Sequence, residues 1–242
     1  MTEISSPELP RGKWVSMIPT LGVVAALWTF SSWGYYALVD RLELDSGYND
    51  APFVFAGYYL GWAALTLFLY RAMLTQRLSQ AVLSGHVMVL LPMLICFGAF
   101  VVFVLPLFPN VSVIRAPEDP PEFMFATAWY YLPKSADILF QQAIVATLIH
   151  RAAQLGLGLR AISIAMAIMF GGFHLALALD GFTATYVIRF SIAATAFGLV
   201  LPYLYLRMQH GFRWAYGIHW SFYILDAVIT HLVLAAPPWA QS

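Results

Sequence analysis

The sequence predicts an all-α, polytopic membrane protein of about seven transmembrane helices. Three observations carry that prediction: the apolar content, the number of long apolar runs, and the distribution of charge between them. Hydrophobic residues make up 61% of the chain and charged residues 10%. A soluble domain is about half apolar and roughly a quarter charged. A run of about 20 apolar residues crosses a bilayer as a helix. Seven such runs occur, at 16–38, 52–70, 81–107, 135–155, 161–181, 183–206 and 214–235. Gly and Pro inside them are tolerated where neighbouring helices re-satisfy the backbone.

Charge fixes an expected orientation. Arg11, Lys13, Arg71, Arg77, Arg151, Arg160, Arg207 and Arg213 fall in the N-terminal tail or in every second loop. The alternate loops hold Asp40, Glu43, Asp45, Asp50, Glu118, Asp119, Glu122 and Asp180, with Arg41, Arg115 and Lys134 as their basic residues. Positive-inside counting then places the N-terminus in the cytoplasm and the C-terminus outside. The formal net charge of zero conceals this alternation. The first 15 residues, with Glu3, Glu8 and two prolines, do not read as a cleavable signal peptide. The expected location is the inner (plasma) membrane.

The chain divides into residues 1–107, a tail and three spans; 108–134, an outer connection; and 135–236, a core of four spans. Trp28, Trp33, Tyr35, Tyr36, Tyr58 and Tyr59 in the first part suit interfacial anchoring or packing. Cys96, the single cysteine, is expected to be a small core residue of the third span. The Asn110-Val111-Ser112 sequon reads as chance. In the connection, Pro106, Pro109, Pro117, Pro120, Pro121 and Pro133 argue against a continuous helix. Phe123-Met124-Phe125 and Trp129-Tyr130-Tyr131 suit a segment at the membrane surface, read either as a plain loop with an aromatic edge or as a lid.

The last four spans carry the chemistry. Asp137, Gln141, Gln142, His174, Arg189, His219, Asp226 and His231 lie in apolar surroundings where lipid-facing polar groups are costly. They are expected to face the bundle interior or a membrane end. One intramembrane histidine is an ordinary packing residue, whereas several on adjacent spans suggest a shared polar cavity. His86 and His150 carry no motif. Gly171 and Gly172 suit close helix packing. Arg189 is read as snorkelling to the interface, with an ion pair to Asp180 or Asp226 as the alternative.

Residues 135–232 resemble the CPBP family of CAAX-type proteases and bacteriocin-processing enzymes. The family motifs are Glu-Glu-x-x-x-Arg, Phe-x-x-x-His and His-x-x-x-Asn. Phe170-Gly171-Gly172-Phe173-His174 matches the second motif intact. His219 matches the start of the third, with Tyr223 at the asparagine position. Gln141 and Gln142 replace the two glutamates, and Ala146 replaces the arginine. Gly198-Leu199-Val200-Leu201 running into Tyr205-Leu206-Arg207 also looks like the family.

The resemblance implies an intramembrane metalloprotease site at Gln141, Gln142, His174, His219 and Tyr223. A zinc hydrolase needs His or carboxylate ligands, an open position for water and a general base. A primary amide supplies neither charge nor base. The expectation is therefore a catalytically degenerate pseudoprotease that binds a hydrophobic peptide or membrane partner, or serves as a scaffold subunit, without a cofactor. The alternative is an active endopeptidase holding Zn through His174 and His219 with a substitute carboxylate, Asp137 or Asp226. Counting helical rise from the inner basic residues puts Asp137, His174 and Asp226 at one level and His219 about 12 Å from His174. Asp137 and Gln141, four apart, share a helix face. Asp137 is otherwise read, with Ser135, as the start of its helix. The expected partners are bilayer lipid and a hydrophobic peptide or membrane protein, with no nucleic acid.

The charge alternation makes a direct prediction. Single cysteines placed at Ser46, Ser79 and Ser242 in a Cys96→Ser background should label from outside, inside and outside respectively. External labelling of the Ser79 position, or none at Ser242, contradicts the assigned topology.

Overall fold

The computed structural model describes residues 11–78, 83–111, 126–180 and 183–233. The chain order is α1 (Arg11–Val15), α2 (Ile18–Arg41), α3 (Gly47–Asp50), α4 (Pro52–Leu69), α5 (Arg71–Leu78), α6 (Leu83–Ala99), α7 (Tyr131–Gln154), α8 (Leu159–Ala176), α9 (Ala184–Arg207) and α10 (Gly211–Val233). α6 runs on through a π-type turn at Phe100–Val104 and a 3₁₀ turn at Leu105–Leu107. The fold is all-α, and a long helix lies on each of the seven apolar runs. Among the described residues, four stretches, Pro52–Leu69, Leu90–Leu107, Leu159–Ala176 and Tyr186–Arg207, are long and apolar enough to cross a membrane. α2, α7 and α10 are as long.

Local sequence sets the helix ends. Pro52 opens α4 at a first-turn position, where a missing N–H costs nothing. α7 closes on Gly156 at φ 73°. The Gly156 N–H donates to the Ala153 carbonyl at 3.0 Å and the Leu157 N–H to the Ala152 carbonyl at 3.1 Å. That Schellman arrangement satisfies carbonyls the helix leaves open, and its left-handed residue favours glycine.

α7 also begins earlier than the prolines suggest. It starts at Tyr131 with Pro133 inside its first turn. First-turn amides have no intrahelical partner, so proline is accommodated there. Lys134 consequently belongs to the helix rather than to the outer connection, and Asp137 lies in the second turn rather than at the start.

α7 is the centre of the molecule. Seventeen of its residues are buried, among them Lys134, Asp137, Gln142, Thr147 and His150. α4 packs along one flank and α2, α5, α8, α9 and α10 complete its surround. The Ser135 hydroxyl accepts the Trp220 indole N–H at 2.8 Å, and its carbonyl accepts the Tyr216 hydroxyl at 3.1 Å. These bonds fix α10 against the first turns of α7. Phe97 of α6 stacks on Trp220 at 4.3 Å between ring centroids.

The elements assigned to the outer side do share one end. The Asn49 side-chain carbonyl accepts from the Thr127 N–H at 3.0 Å and its hydroxyl at 2.8 Å. His231 at the end of α10 bonds the Pro109 carbonyl at 2.8 Å. Tyr35, Tyr48, Phe55, Tyr59 and Tyr130 pack ring against ring at this end. Trp33 and Tyr36 instead are exposed on α2. Cys96 is exposed too, and so is not the core residue expected: α6 shows Leu91, Leu94 and Ile95 on its outer surface beside it. Phe123-Met124-Phe125, most of the 108–134 connection with its possible lid, the end of the sequon and the Asp180 side chain lie outside the described residues.

α8 and α9 form a close helix pair. A Cβ on Gly198 would sit 2.7 Å from the Ala167 Cα and the Met166 carbonyl oxygen. Gly171 faces Thr195 of α9, whereas Gly172 has open space around it. Gly198→Val should therefore destabilise the protein by about 1–3 kcal/mol through overpacking. Gly172→Ala should be neutral or stabilising by up to about 1 kcal/mol through helix propensity. Thermal unfolding of the two variants in one detergent checks the opposite signs.

Candidate functional site

The polar residues of α7 separate into two groups on successive turns. Lys134 donates to Asp137 Oδ2 at 2.8 Å, and Gln141 donates to Asp137 Oδ1 at 2.9 Å. Positions 134, 137 and 141 share a helix face, which gives this ladder its geometry. The Lys134 ammonium also lies 4.3 Å from the centroid of the Tyr223 ring. Both members of the ion pair are buried, where a charge lacking its partner is costly. Asp137 is thus a bonded interior residue, not a helix start.

The second group begins at Gln142, which is fully buried. Its Oε1 accepts the Tyr205 hydroxyl at 2.7 Å. Its Nε2 lies 2.9 Å from His219 Nδ1. An amide nitrogen only donates, so His219 Nδ1 accepts and the neutral ring carries its proton on Nε2. His174 has the opposite tautomer. Its Nδ1 lies 2.8 Å from the Phe170 carbonyl, an acceptor, so Nδ1 holds the proton and Nε2 has the lone pair.

The two histidines meet across a cavity of about 390 Å³ between α8, α9 and α10. Its wall is made of Phe170, His174, Phe190, Ala193, Ala194, Ala196, Phe197, Val200, Ile218, His219, Phe222 and Tyr223. Nine of these twelve are apolar, so the polar atoms are few and their positions set what fits. His219 stacks on Tyr223 at 5.7 Å and His174 on Phe190 at 6.2 Å. The structure therefore brings together His174, His219, Gln142 and Tyr223. Gln141 turns away to Asp137 and does not line the cavity.

Asp226 is engaged elsewhere. Its Oδ1 lies 2.6 Å from Arg189 Nη2. The ion pair replaces the snorkelling expected of Arg189. Arg189 lies in the N-terminal part of α9 and Asp226 in the C-terminal part of α10, and a buried carboxylate left without its cation is costly.

Among the described residues, no three His, Cys, Asp or Glu side chains gather at metal-binding spacing. Asp137 is held by Lys134 and Gln141, Asp226 by Arg189, and His219 presents N–H rather than a lone pair. As arranged, this donor set does not fit a zinc ion.

Lys134, Tyr205 and the Arg189–Asp226 pair are the residues that sequence reasoning undervalued. The apolar run that begins at 135 places Lys134 in the preceding loop. Its spacing from Asp137 and Gln141 was the available signal. Nothing local marks Tyr205 as the partner of a glutamine 63 positions away.

No family model matches the chain, and no curated protein or solved structure is significantly similar to it.

The Arg189–Asp226 pair yields a test. Arg189→Ala leaves a carboxylate buried without its cation and should lower stability more than Arg189→Leu combined with Asp226→Leu. A double-mutant cycle on thermal unfolding should return a coupling of about 0.5–3 kcal/mol.

Proposed function

We propose that this protein is a non-hydrolytic, CPBP-like membrane protein of seven spans with a cytoplasmic N-terminus, and that it binds a hydrophobic ligand or membrane partner in the α8–α9–α10 cavity. The observation that carries the reading is the contact between Gln142 and His219. At the position where the family has a glutamate, this chain places an amide, and that amide donates to the histidine expected to serve the metal. The ring is left neutral with Nε2 protonated, which suits hydrogen bonding and opposes ligation.

The hydrophobic character of the ligand follows from the aromatic and alanine wall. The intact Phe170–His174 motif and the placement of His219 on the last helix support a shared ancestry of site and fold with the protease family. The Lys134–Asp137–Gln141 ladder supports a structural role for the remaining charges.

Metal content and peptidase assay test the reading together. The wild-type protein should purify without stoichiometric zinc and leave hydrophobic reporter peptides uncleaved. Gln141→Glu with Gln142→Glu should raise zinc affinity, because a carboxylate at 142 accepts the His219 Nδ1 proton and frees Nε2 to ligate. Full activity should not return while Ala146 and Tyr223 stand at the arginine and asparagine positions. Tight zinc in the wild type, lost in His174→Ala or Asp226→Ala, would overturn the proposal in favour of an active metallo-endopeptidase.

A further inference from the structure

The polar complement of the cavity is defined atom by atom. His174 and His219 have one bonded ring nitrogen each, Nδ1 in both, and among the described residues neither Nε2 has a hydrogen-bond partner. Both histidines are half-buried and line the cavity. The tautomers make His219 Nε2–H a donor and His174 Nε2 an acceptor. Tyr223, which carries one hydroxyl, belongs to the same wall. Every other side chain of the wall is apolar.

The route in is equally specific. Val200 of α9 and Ile218 of α10 belong to the wall and are each 43% exposed. Ile192 and Leu199 of α9 and Leu225 of α10 are exposed as well, and Leu225, seven positions from Ile218, shares its helix face. In a bilayer that face meets hydrocarbon, so the cavity admits its ligand sideways from the lipid.

Size and polarity then discriminate between occupants. The cavity of about 390 Å³ falls in the size range of small-molecule pockets. An extended peptide brings one N–H and one C=O per residue. Three residues would need six partners, and the wall offers three polar side chains. A single alkyl chain with a terminal hydroxyl has no such deficit. Its O–H donates to His174 Nε2, and its two lone pairs accept from His219 Nε2–H and the Tyr223 hydroxyl.

We infer that the cavity between α8, α9 and α10 is a lateral binding site for a single-chain neutral lipid ending in a hydroxyl, read by His174 as acceptor and His219 as donor. The inference rests on the proposed non-hydrolytic binding role of this cavity and names its ligand class. Gln142, by bonding His219 Nδ1, is the positioning residue that keeps the donor on the cavity side.

The experiment uses the full-length protein in nanodiscs and a long-chain primary alcohol carrying a photoreactive diazirine. Crosslinks should map to α9 and α10. An unlabelled long-chain alcohol should compete about tenfold better than its methyl ether, which cannot donate, and the matching alkane should not compete. His174→Phe should erase the alcohol-over-ether preference. Ala193→Trp, at a partly exposed wall position, should abolish labelling while both histidines remain. Nitrogen-15 shifts of the His219 ring should report Nε2–H in the wild type and a changed tautomer in Gln142→Glu. Equal competition by alcohol, ether and alkane, or an alcohol preference that survives His174→Phe, would overturn the inference. Competition by a hydrophobic peptide and not by the alcohol would also overturn it, while leaving the binding role of the cavity standing. Labelling unchanged by Ala193→Trp would remove both.

Discussion

The structure depends on one constraint: α7 carries ionic and amide groups into the middle of an apolar bundle, and each must find a partner there. Burying an unpartnered polar group in such surroundings costs several kcal/mol, by the order of magnitude of transfer to a non-hydrogen-bonding medium. The surrounding helices provide partners from long sequence distances. Tyr205 and His219 satisfy Gln142, while Tyr216 and Trp220 anchor on Ser135. Lys134, Asp137 and Gln141 satisfy one another along the helix. α7 is therefore enclosed on all sides, and the apolar helices α4, α6, α8 and α9 turn their remaining surfaces outward.

That division of labour explains the cavity. α8 and α9 approach closely at Gly198 and Gly171, while the aromatic rings Phe170, Phe190, Phe197 and Phe222 line the space between them and α10. The space left is apolar except where His174, His219 and Tyr223 reach it. Its two histidines are set in opposite tautomers by different devices. His174 uses a backbone carbonyl one helical turn away, a contact that needs no other element. His219 uses Gln142, so its chemistry is controlled from α7. A change of one atom type at position 142, from amide nitrogen to carboxylate oxygen, inverts which His219 nitrogen carries the proton.

Charge in this bundle stabilises geometry more than it offers chemistry. The Lys134–Asp137 and Arg189–Asp226 pairs are each held at ion-pair distance. Removing one partner of such a pair is expected to cost more than replacing both. The carboxylates that sequence distance made candidates for a displaced metal site are thereby committed to α7 itself and to the α9–α10 contact.

Much was legible in the sequence because it depends on local or one-dimensional properties. Apolar run length gave the helix positions, and the i, i+4 spacing of Asp137 and Gln141 gave their contact. The spaced histidines of the last four runs indicated a common interior. What the sequence could not supply was rotation and pairing. Counting rise along straight helices separated His174 from His219 and grouped Asp137, His174 and Asp226, since axial height ignores helix tilt and which way each side chain points. Pro133 hid the first turn of α7, and with it Lys134, because proline's cost depends on whether its N–H is needed. Only the tertiary structure decided that Gln142 rather than Gln141 meets His219, that Tyr205 orients that amide, and that Arg189 binds Asp226. Each is a contact between helices distant in sequence, set by how polar groups on facing helices pair when water is excluded.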